Sequence, residues 1–201
     1  MPIQSKIILA SASPRRAEIL RNAGFEFTVI PADVDETVRV GESAAVYVER
    51  LARAKANVVA TRITETHQTS GIIVAADTTV ALGSEILGKP ESAEDARRML
   101  RCLSGRWHQV LTGLAILPLD GAAHREHAIV EETRVQFANL SDGEIEDYVV
   151  TGEPFDKAGG YAIQGLGAKF IPRIEGCYFN VMGLPLARLY EMLRKIETSH
   201  K

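Results

Sequence analysis

The segment Ser-Ala-Ser-Pro-Arg-Arg at residues 11–16 constrains the fold of this chain more than any other stretch. The run Lys6 to Ala10 precedes it and predicts a short buried strand, because apolar, partly β-branched residues follow one another there. Ser13 suits the N-cap of a helix, and Pro14 suits the first helical position, where no N–H is missed. We therefore predict a strand, a tight turn and a helix.

Two arginines, Arg15 and Arg16, lie in the first turn of that predicted helix. Cations are mildly unfavourable there, because the N-terminus of a helix carries partial positive charge. Together with free N–H groups and the hydroxyls of Ser11 and Ser13, however, the guanidinium groups form a donor set that suits a multiply charged anion. The alternative is that both arginines are solvated and the serines only cap the helix.

The composition limits what such an anion site can be. The chain has 201 residues, of which 46% are hydrophobic and 24% charged, and its formal net charge is −3. This is enough for a core in one domain, which we place over residues 1–201, and the charge argues against stable nucleic-acid binding. There is no signal-peptide pattern, no membrane-length apolar run and no cysteine pair at metal-binding spacing, so we expect a cytoplasmic protein without a membrane partner.

The order of the apolar patterns predicts an α/β fold with a mixed central sheet flanked by helices. The predicted strands cover residues 6–10, 25–30, 72–76, 78–82 and 85–87 (a hairpin), 107–117 and 128–137 (an antiparallel pair joined at Asp120-Gly121), and part of 152–170. The predicted helices cover residues 14–23 and 44–62. A third begins at a capping box of Ser92 with Asp95, and a fourth runs from Ser141 to about residue 150. The last begins at Pro185, with Leu186, Leu189, Tyr190 and Leu193 facing inward.

Two carboxylates are candidates for chemistry. Asp77 directly follows the apolar run Ile72 to Ala76, and ligands of open α/β sheets bind at the carboxyl ends of strands. The alternative is an aspartate that caps a turn. Glu36 lies in an acidic loop, and such loops are usually just solvated. Together, the two side chains have the oxygen ligands that a hard divalent cation requires.

Two lysines are the other candidates. Lys55 lies on the apolar stripe of the predicted helix 44–62, so it must either extend to solvent or meet an anion. Lys89, between Gly88 and Pro90, is either presented from a tight turn or simply exposed.

The chain has no P-loop, dinucleotide fingerprint or nucleophile elbow. Its hydroxyls, cations and carboxylates suit binding of a triphosphate with a metal and activation of a water against phosphorus.

Six segments resemble, in the same order, the motifs of the Maf family of nucleoside triphosphate pyrophosphatases: residues 11–16, 35–36, 51–55, 76–79, 88–90 and 156–165. The resemblance extends from Ile8 to the C-terminal helix. It implies a cleft between two lobes, similar to inosine triphosphate pyrophosphatases. It also implies hydrolysis of a nucleoside triphosphate to the monophosphate and pyrophosphate with a divalent cation, Mg²⁺ or Mn²⁺.

The resemblance also implies roles for individual residues. Asp77 matches the proton acceptor and Glu36 a metal-linked carboxylate, so both are expected to hold the cation. The positions that match phosphate-handling residues of the family are Ser11, Ser13, Arg16, Lys55 and Lys89. Three further positions match those that mark the branch acting on dTTP and UTP rather than on 7-methyl-GTP: Arg15, Thr78 and Gln164.

The same family suggests a rival function. It is also linked to inhibition of septum formation, so a non-enzymatic, nucleotide-binding regulator of cell division is the alternative. A pure binder releases no pyrophosphate from dTTP, which separates the two hypotheses. The resemblance further leads us to expect a homodimer.

Overall fold

One seven-stranded mixed sheet runs through the described part of the computed structural model, which comprises residues 3, 5–65, 70–119 and 126–199. Its strands are β1 (Ile7–Leu9), β2 (Phe27–Val29), β3 (Ile72–Leu82), β4 (Glu85–Leu87), β5 (Trp107–Pro118), β6 (His127–Gln136) and β7 (Arg173–Glu175). The helices are α1 (Pro14–Asn22), α2 (Ala44–Glu65), α3 (Ala93–Leu103), α4 (Asp142–Val150), α5 (Tyr178–Val181) and α6 (Leu186–Ser199).

The strand order is β2-β1-β3-β5-β6-β7, and β4 pairs with the second half of β3. Strand β1 runs parallel to β2 and β3, whereas β5, β6 and β7 pair antiparallel in succession. The mixed α/β architecture predicted from the sequence is therefore confirmed. The predicted turn at Asp120-Gly121 lies outside the described residues.

Strand β3 is longer than its apolar run suggests. It is an 11-residue strand, and Asp77 lies in its middle rather than at its end. The predicted end at Ala76 is thus wrong, because antiparallel pairing with β5 continues from Ile72 to Ala81. Long-range pairing overrides the low intrinsic β-propensity of aspartate.

The two faces of β3 pack against different helices. Ile72, Val74 and Ala76 belong to an apolar cluster with residues of α1 and α6, while Ile73 and Ala75 pack beneath α2. Further along the first of these faces, Val80 belongs to a second cluster, which contains residues of α3 and α4. Thr78 lies between the β3 residues of these two clusters, on the same face of the strand.

A notch in the sheet lies beside the same part of β3. Strand β1 accompanies β3 only as far as Val74, where the Ala10 N–H donates to the Val74 carbonyl. Strand β4 joins β3 only at Val80. Among the described residues, positions 75–79 of β3 thus have no strand partner on this edge, and side chains from both faces reach the opening.

Helix α2 lies unusually close to the sheet at Gly113 of β5. A Cβ on Gly113 would be 2.1 Å from the carbonyl oxygen of Val48, so only glycine permits this approach. Gly113 is in register with Asp77. The close contact therefore brings the next turns of α2, which carry Lys55, within reach of the Asp77 side chain.

Several local predictions were correct. Ser141 starts α4 as predicted and forms a capping box with Glu144. Ser92 caps α3 by accepting the Asp95 N–H, but only this half of the predicted capping box forms, because Asp95 Oδ2 accepts the Glu91 N–H instead. The hairpin of β3 and β4 is also present.

The helices in the described part of the chain include none that combines the length and the apolar character of a membrane span.

Other local predictions were wrong. Ser13 occupies the N-cap position of α1 but makes no side-chain capping bond, and Tyr190 is exposed rather than inward-facing. The glycine-rich residues 152–170 contain no strand; they form three short 3₁₀ helices, Glu153–Asp156, Ala158–Gly160 and Leu166–Phe170, and Gly159 and Gly160, just before the residues predicted to be extended, adopt φ values of 69° and 71°. These left-handed conformations turn the chain and are incompatible with extended pairing.

Candidate active site

The notch beside β3 opens into a cleft of about 390 Å³. Every residue assigned to the site from the sequence lines it: Ser11, Ser13, Arg15, Arg16, Glu36, Lys55, Asp77, Thr78, Lys89 and Gln164. Residues from the first turn, the acidic loop, α2, β3 and the glycine-rich segment therefore converge on one cavity, although up to 153 positions separate them in the sequence (164 − 11).

Lys55 joins the two candidate carboxylates. Its Nζ donates to Asp77 Oδ1 at 2.6 Å and to Glu36 Oε1 at 2.6 Å. Lys55 and Asp77 are buried, whereas the Glu36 side chain is half exposed. Of the two interpretations of Lys55 left open by the sequence, the structure selects the second, because its ammonium group meets anions instead of extending to solvent.

The two carboxylates differ in their protonation equilibria. Burial raises the pKa of Asp77 above its usual range, although the charges of Lys55 and Arg16 act to lower it. Burial also acts to raise the pKa of Glu36, but the hydrogen bond and charge of Lys55 outweigh it, so this pKa lies below its usual range. When two neighbouring acids are shifted apart in this way, the one with the raised pKa is the better proton acceptor.

Arg16 enters the cleft from the opposite face of the sheet and is held by neutral oxygens. Nε donates to the Gly183 carbonyl (2.7 Å), Nη1 to Ser11 Oγ (3.0 Å) and Nη2 to Thr78 Oγ1 (3.1 Å). Thr78 Oγ1 in turn bonds to Thr112 Oγ1 at 2.9 Å. Burial lowers the pKa of Arg16. The contacts fix the guanidinium group without neutralising its charge.

The remaining candidates lie nearer to solvent. Arg15 Nη1 is 3.3 Å from Asp156 Oδ2, and this ion pair is partly exposed. Lys89 and Gln164 are exposed residues of the cleft wall. The two arginines thus have different environments. Arg16 is buried and fixed, whereas Arg15 is paired with a carboxylate from the glycine-rich segment.

Sequence reasoning missed the carbonyl of Gly183 and the hydroxyl of Thr112. A backbone acceptor has no side-chain signature, although Gly183 does have a positive φ of 108°. A Cβ there would lie 3.5 Å from Thr78 Oγ1 and 3.7 Å from Arg16 Nε. Thr112 belongs to an otherwise ordinary apolar strand, and only its register opposite Thr78 reveals its role.

A fixed guanidinium, a helix N-terminus, further cations and two carboxylates of unlike basicity line one cleft of an α/β protein, and this set of groups suits a phosphate-bearing ligand and proton transfer. The particular family follows from sequence comparison. The family model described as Maf-like protein matches residues 6–196, so the chain belongs to the Maf family.

Individual relatives agree with this assignment. The chain is 50% identical over 192 residues to a protein of Myxococcus xanthus named dTTP/UTP pyrophosphatase, covering 96% of this chain and 93% of that protein. A protein of Desulforamulus reducens with the same name is 48% identical, with coverages of 94% and 95%. Among solved structures, the Staphylococcus aureus Ham1 protein is 16% identical at a TM-score of 0.43, covering 83% of this chain and 79% of that one. That similarity is too low to bear on the site.

Proposed function

We propose that this protein hydrolyses nucleoside triphosphates, with dTTP and UTP as its preferred substrates, to the monophosphate and pyrophosphate. The observation that carries the proposal is the pair Asp77 and Glu36, bridged by Lys55 and facing the same cleft as the fixed Arg16. The names of the full-length relatives support the choice of substrate.

The cations of the cleft bind the triphosphate in this proposal. The contacts of Arg16 with Gly183, Ser11 and Thr78 leave further guanidinium N–H groups for phosphate oxygens. The free N–H groups at the start of α1 and the exposed Lys89 add donors in the same cleft. The fixed donors stabilise charge that develops as the α–β bridge breaks, because they need no reorganisation.

Asp77 is the proton acceptor for the attacking water. The water oxygen bonds to the α-phosphorus, and the proton of the water passes to the Asp77 carboxylate. The P–O bond between the α-phosphorus and the α–β bridging oxygen breaks, which releases pyrophosphate. The raised pKa of Asp77 favours this transfer, and Lys55 orients the carboxylate through Oδ1.

Glu36 and Asp77 would hold a divalent cation, Mg²⁺ or Mn²⁺. Each presents hard oxygens, and Lys55 bonds to only Oε1 of one and Oδ1 of the other. Among the described residues, no group of three or more potential ligand side chains exists, which suits Mg²⁺ because this ion is usually held by one or two carboxylates plus substrate phosphates. When bound, the cation would neutralise phosphate charge.

Purified protein offered dTTP, UTP, CTP, GTP and 7-methyl-GTP tests the proposal. We expect monophosphate and pyrophosphate in equal amounts, with kcat/KM highest for dTTP and UTP. The absence of pyrophosphate from every nucleotide would favour the binding-only regulator instead. A clear preference for 7-methyl-GTP would overturn the assigned substrate but retain the pyrophosphatase.

Gln164 is the proposed reader of the base. Its amide offers a donor and an acceptor, which match the imide edge of thymine or uracil. A guanine edge leaves polar groups unpaired at a cost of about 1–3 kcal/mol each, enough for about tenfold or greater discrimination per group. In Gln164→Ala we expect the ratio of kcat/KM for dTTP to that for GTP to fall about tenfold. An unchanged ratio would exclude Gln164 as the reader.

The expected homodimer and cytoplasmic location remain predictions. Light scattering of the purified protein tests the first, and fractionation of cells tests the second. A monomer at micromolar concentration would contradict the dimer without affecting the proposed reaction.

A further inference from the structure

Glu36 lies on a segment that has no secondary structure of its own. Residues 30–39 form neither helix nor strand, and Val38 and Val40 are exposed rather than packed into the core. At the start of the segment, Ile30, Ala32 and Val34 do pack against core clusters that include α2. Beyond Val34, apolar burial therefore does little to fix the chain. A carboxylate on such a segment requires other contacts if it is to meet Lys55 at hydrogen-bond distance.

Two side chains of α2 provide those contacts by binding successive backbone carbonyls. Tyr47 Oη donates to the carbonyl oxygen of Glu36 at 3.0 Å, and Arg50 Nη2 donates to that of Thr37 at 3.1 Å. Since Lys55 belongs to the same helix, α2 holds both the backbone and the carboxylate of Glu36.

Arg50 is itself fixed at the end of the same segment. Its Nε and Nη2 donate to Glu42 Oε1 and Oε2 at 2.6 and 2.8 Å, a bidentate ion pair. The Glu42 side chain is only 4% exposed, and Oε2 also accepts the Arg39 N–H at 3.0 Å. The Arg50 hydrogen bonds lower the pKa of Glu42 to about 2, so this pair stays ionised through the neutral range.

We propose that Arg50 and Tyr47 are positioning residues that hold the Glu36 segment against α2 and so place the Glu36 carboxylate in the active site. This inference rests on the proposed catalytic role of Glu36. Arg50 cannot be replaced by lysine in this role, because a single ammonium group cannot make the bidentate pair with Glu42 and reach the Thr37 carbonyl together.

The test compares Arg50→Lys with Arg53→Lys. Arg53 is on the same helix and also forms an ion pair through two nitrogens, with Glu49, plus one with Glu126, but it does not contact the Glu36 segment. We expect kcat/KM for dTTP to fall about 10–100-fold in Arg50→Lys, as for other residues that orient a catalytic ligand, and to change less than twofold in Arg53→Lys. Equal effects of the two substitutions would overturn the proposal.

A double-mutant cycle distinguishes positioning from general support of the fold. In a Glu36→Gln background, Arg50→Lys should cause little further loss, because the group that it positions has already been removed. Additive losses would contradict the proposal. If Arg50→Lys does not fold, Tyr47→Phe, which removes one hydroxyl, is used in the same cycle and is judged by the same criterion.

The outcome for the wild-type protein keeps the two hypotheses separate. A wild-type protein that releases no pyrophosphate refutes the proposed function. An active wild-type protein in which both cycles are additive refutes only the positioning roles of Arg50 and Tyr47.

Discussion

Asp77 and Thr78 are neighbours on β3, yet their side chains enter different environments on opposite faces of the sheet. Asp77 joins Lys55 and Glu36 in what we call the carboxylate face. Thr78 joins Thr112 and Arg16 in what we call the hydroxyl face. Both faces reach the cleft through the notch between β1 and β4.

The faces differ in the groups that surround their buried cation. On the carboxylate face, the Lys55 ammonium group is held by the carboxylates of Asp77 and Glu36. Protonation of a carboxylate or binding of a phosphate therefore changes the hydrogen-bond partners of Lys55. On the hydroxyl face, neutral oxygens hold Arg16 and leave its positive charge for the substrate. The first arrangement suits proton transfer, and the second suits rigid binding of an anion.

Among substitutions on the two faces, Asp77→Asn should reduce activity the most. We expect kcat for dTTP to fall about 10²–10⁴-fold, because the proton acceptor is lost. The melting temperature should not fall, since burial already disfavours the ionised Asp77 carboxylate. Steady-state kinetics and thermal unfolding check both statements, and Asp142→Asn on the exposed surface of α4 is the control. A folded variant with near-normal turnover would contradict the assignment of Asp77.

Arg16→Lys should have the next largest effect and should affect both activity and stability. The lysine loses the fork that reaches Gly183, Ser11 and Thr78, so kcat/KM should fall about 10–100-fold. The melting temperature should fall as well, because these acceptors lose their donors. The matched control is Arg21→Lys at the exposed end of α1. Loss of activity without loss of stability would remove this contrast between the faces.

Thr78→Val isolates one hydrogen bond of the hydroxyl face. We expect kcat/KM to fall about tenfold and by the same factor for dTTP, UTP and CTP, because the hydroxyl contacts Arg16 and Thr112 and its loss misplaces a phosphate donor. Kinetics with the three nucleotides provide the test. If the loss differs strongly between the bases, Thr78 itself takes part in base selection.

The two faces should also respond differently to pH. Activity should rise with pH through the raised pKa of Asp77, because the ionised form accepts the proton.

His108, on the same face of β5 as Thr112, is buried, and burial lowers its pKa to about 4. Because the pKa of His108 is lower in the folded state than in the unfolded state, its protonation favours unfolding. The free energy of unfolding therefore keeps its full His108 contribution above about pH 6.5 and loses about 3 kcal/mol of it as the pH falls to 4.

Urea unfolding at pH 7 and pH 4 measures this effect. The difference in the free energy of unfolding between the two pH values should shrink in His108→Gln, whose side chain can still reach Tyr161, the partner of His108 Nε2 at 2.7 Å. Asp77 contributes with the opposite sign, because a raised pKa favours folding in acid. An equal pH dependence in wild type and variant would show that His108 is not the group responsible.

Much of the framework of this protein was predictable from local sequence. The alternation of apolar runs predicted the strands and helices of the mixed sheet, and Ser92 and Ser141 marked helix starts that the structure confirms. Lys55 was recognisable as unusual because it lies on an apolar stripe. Such signals depend only on periodicity and capping chemistry, which act within a few residues.

The tertiary structure decided how those parts form a site. It extends β3 through Asp77 by pairing with β5, and it leaves the notch because β1 ends before β4 begins. It also chooses the partners of Lys55 and turns the glycine-rich segment into 3₁₀ helices. Periodicity can assign a residue to a face of a strand. Which strand, helix or carbonyl lies opposite depends on contacts between residues far apart in the chain, and local sequence does not encode them.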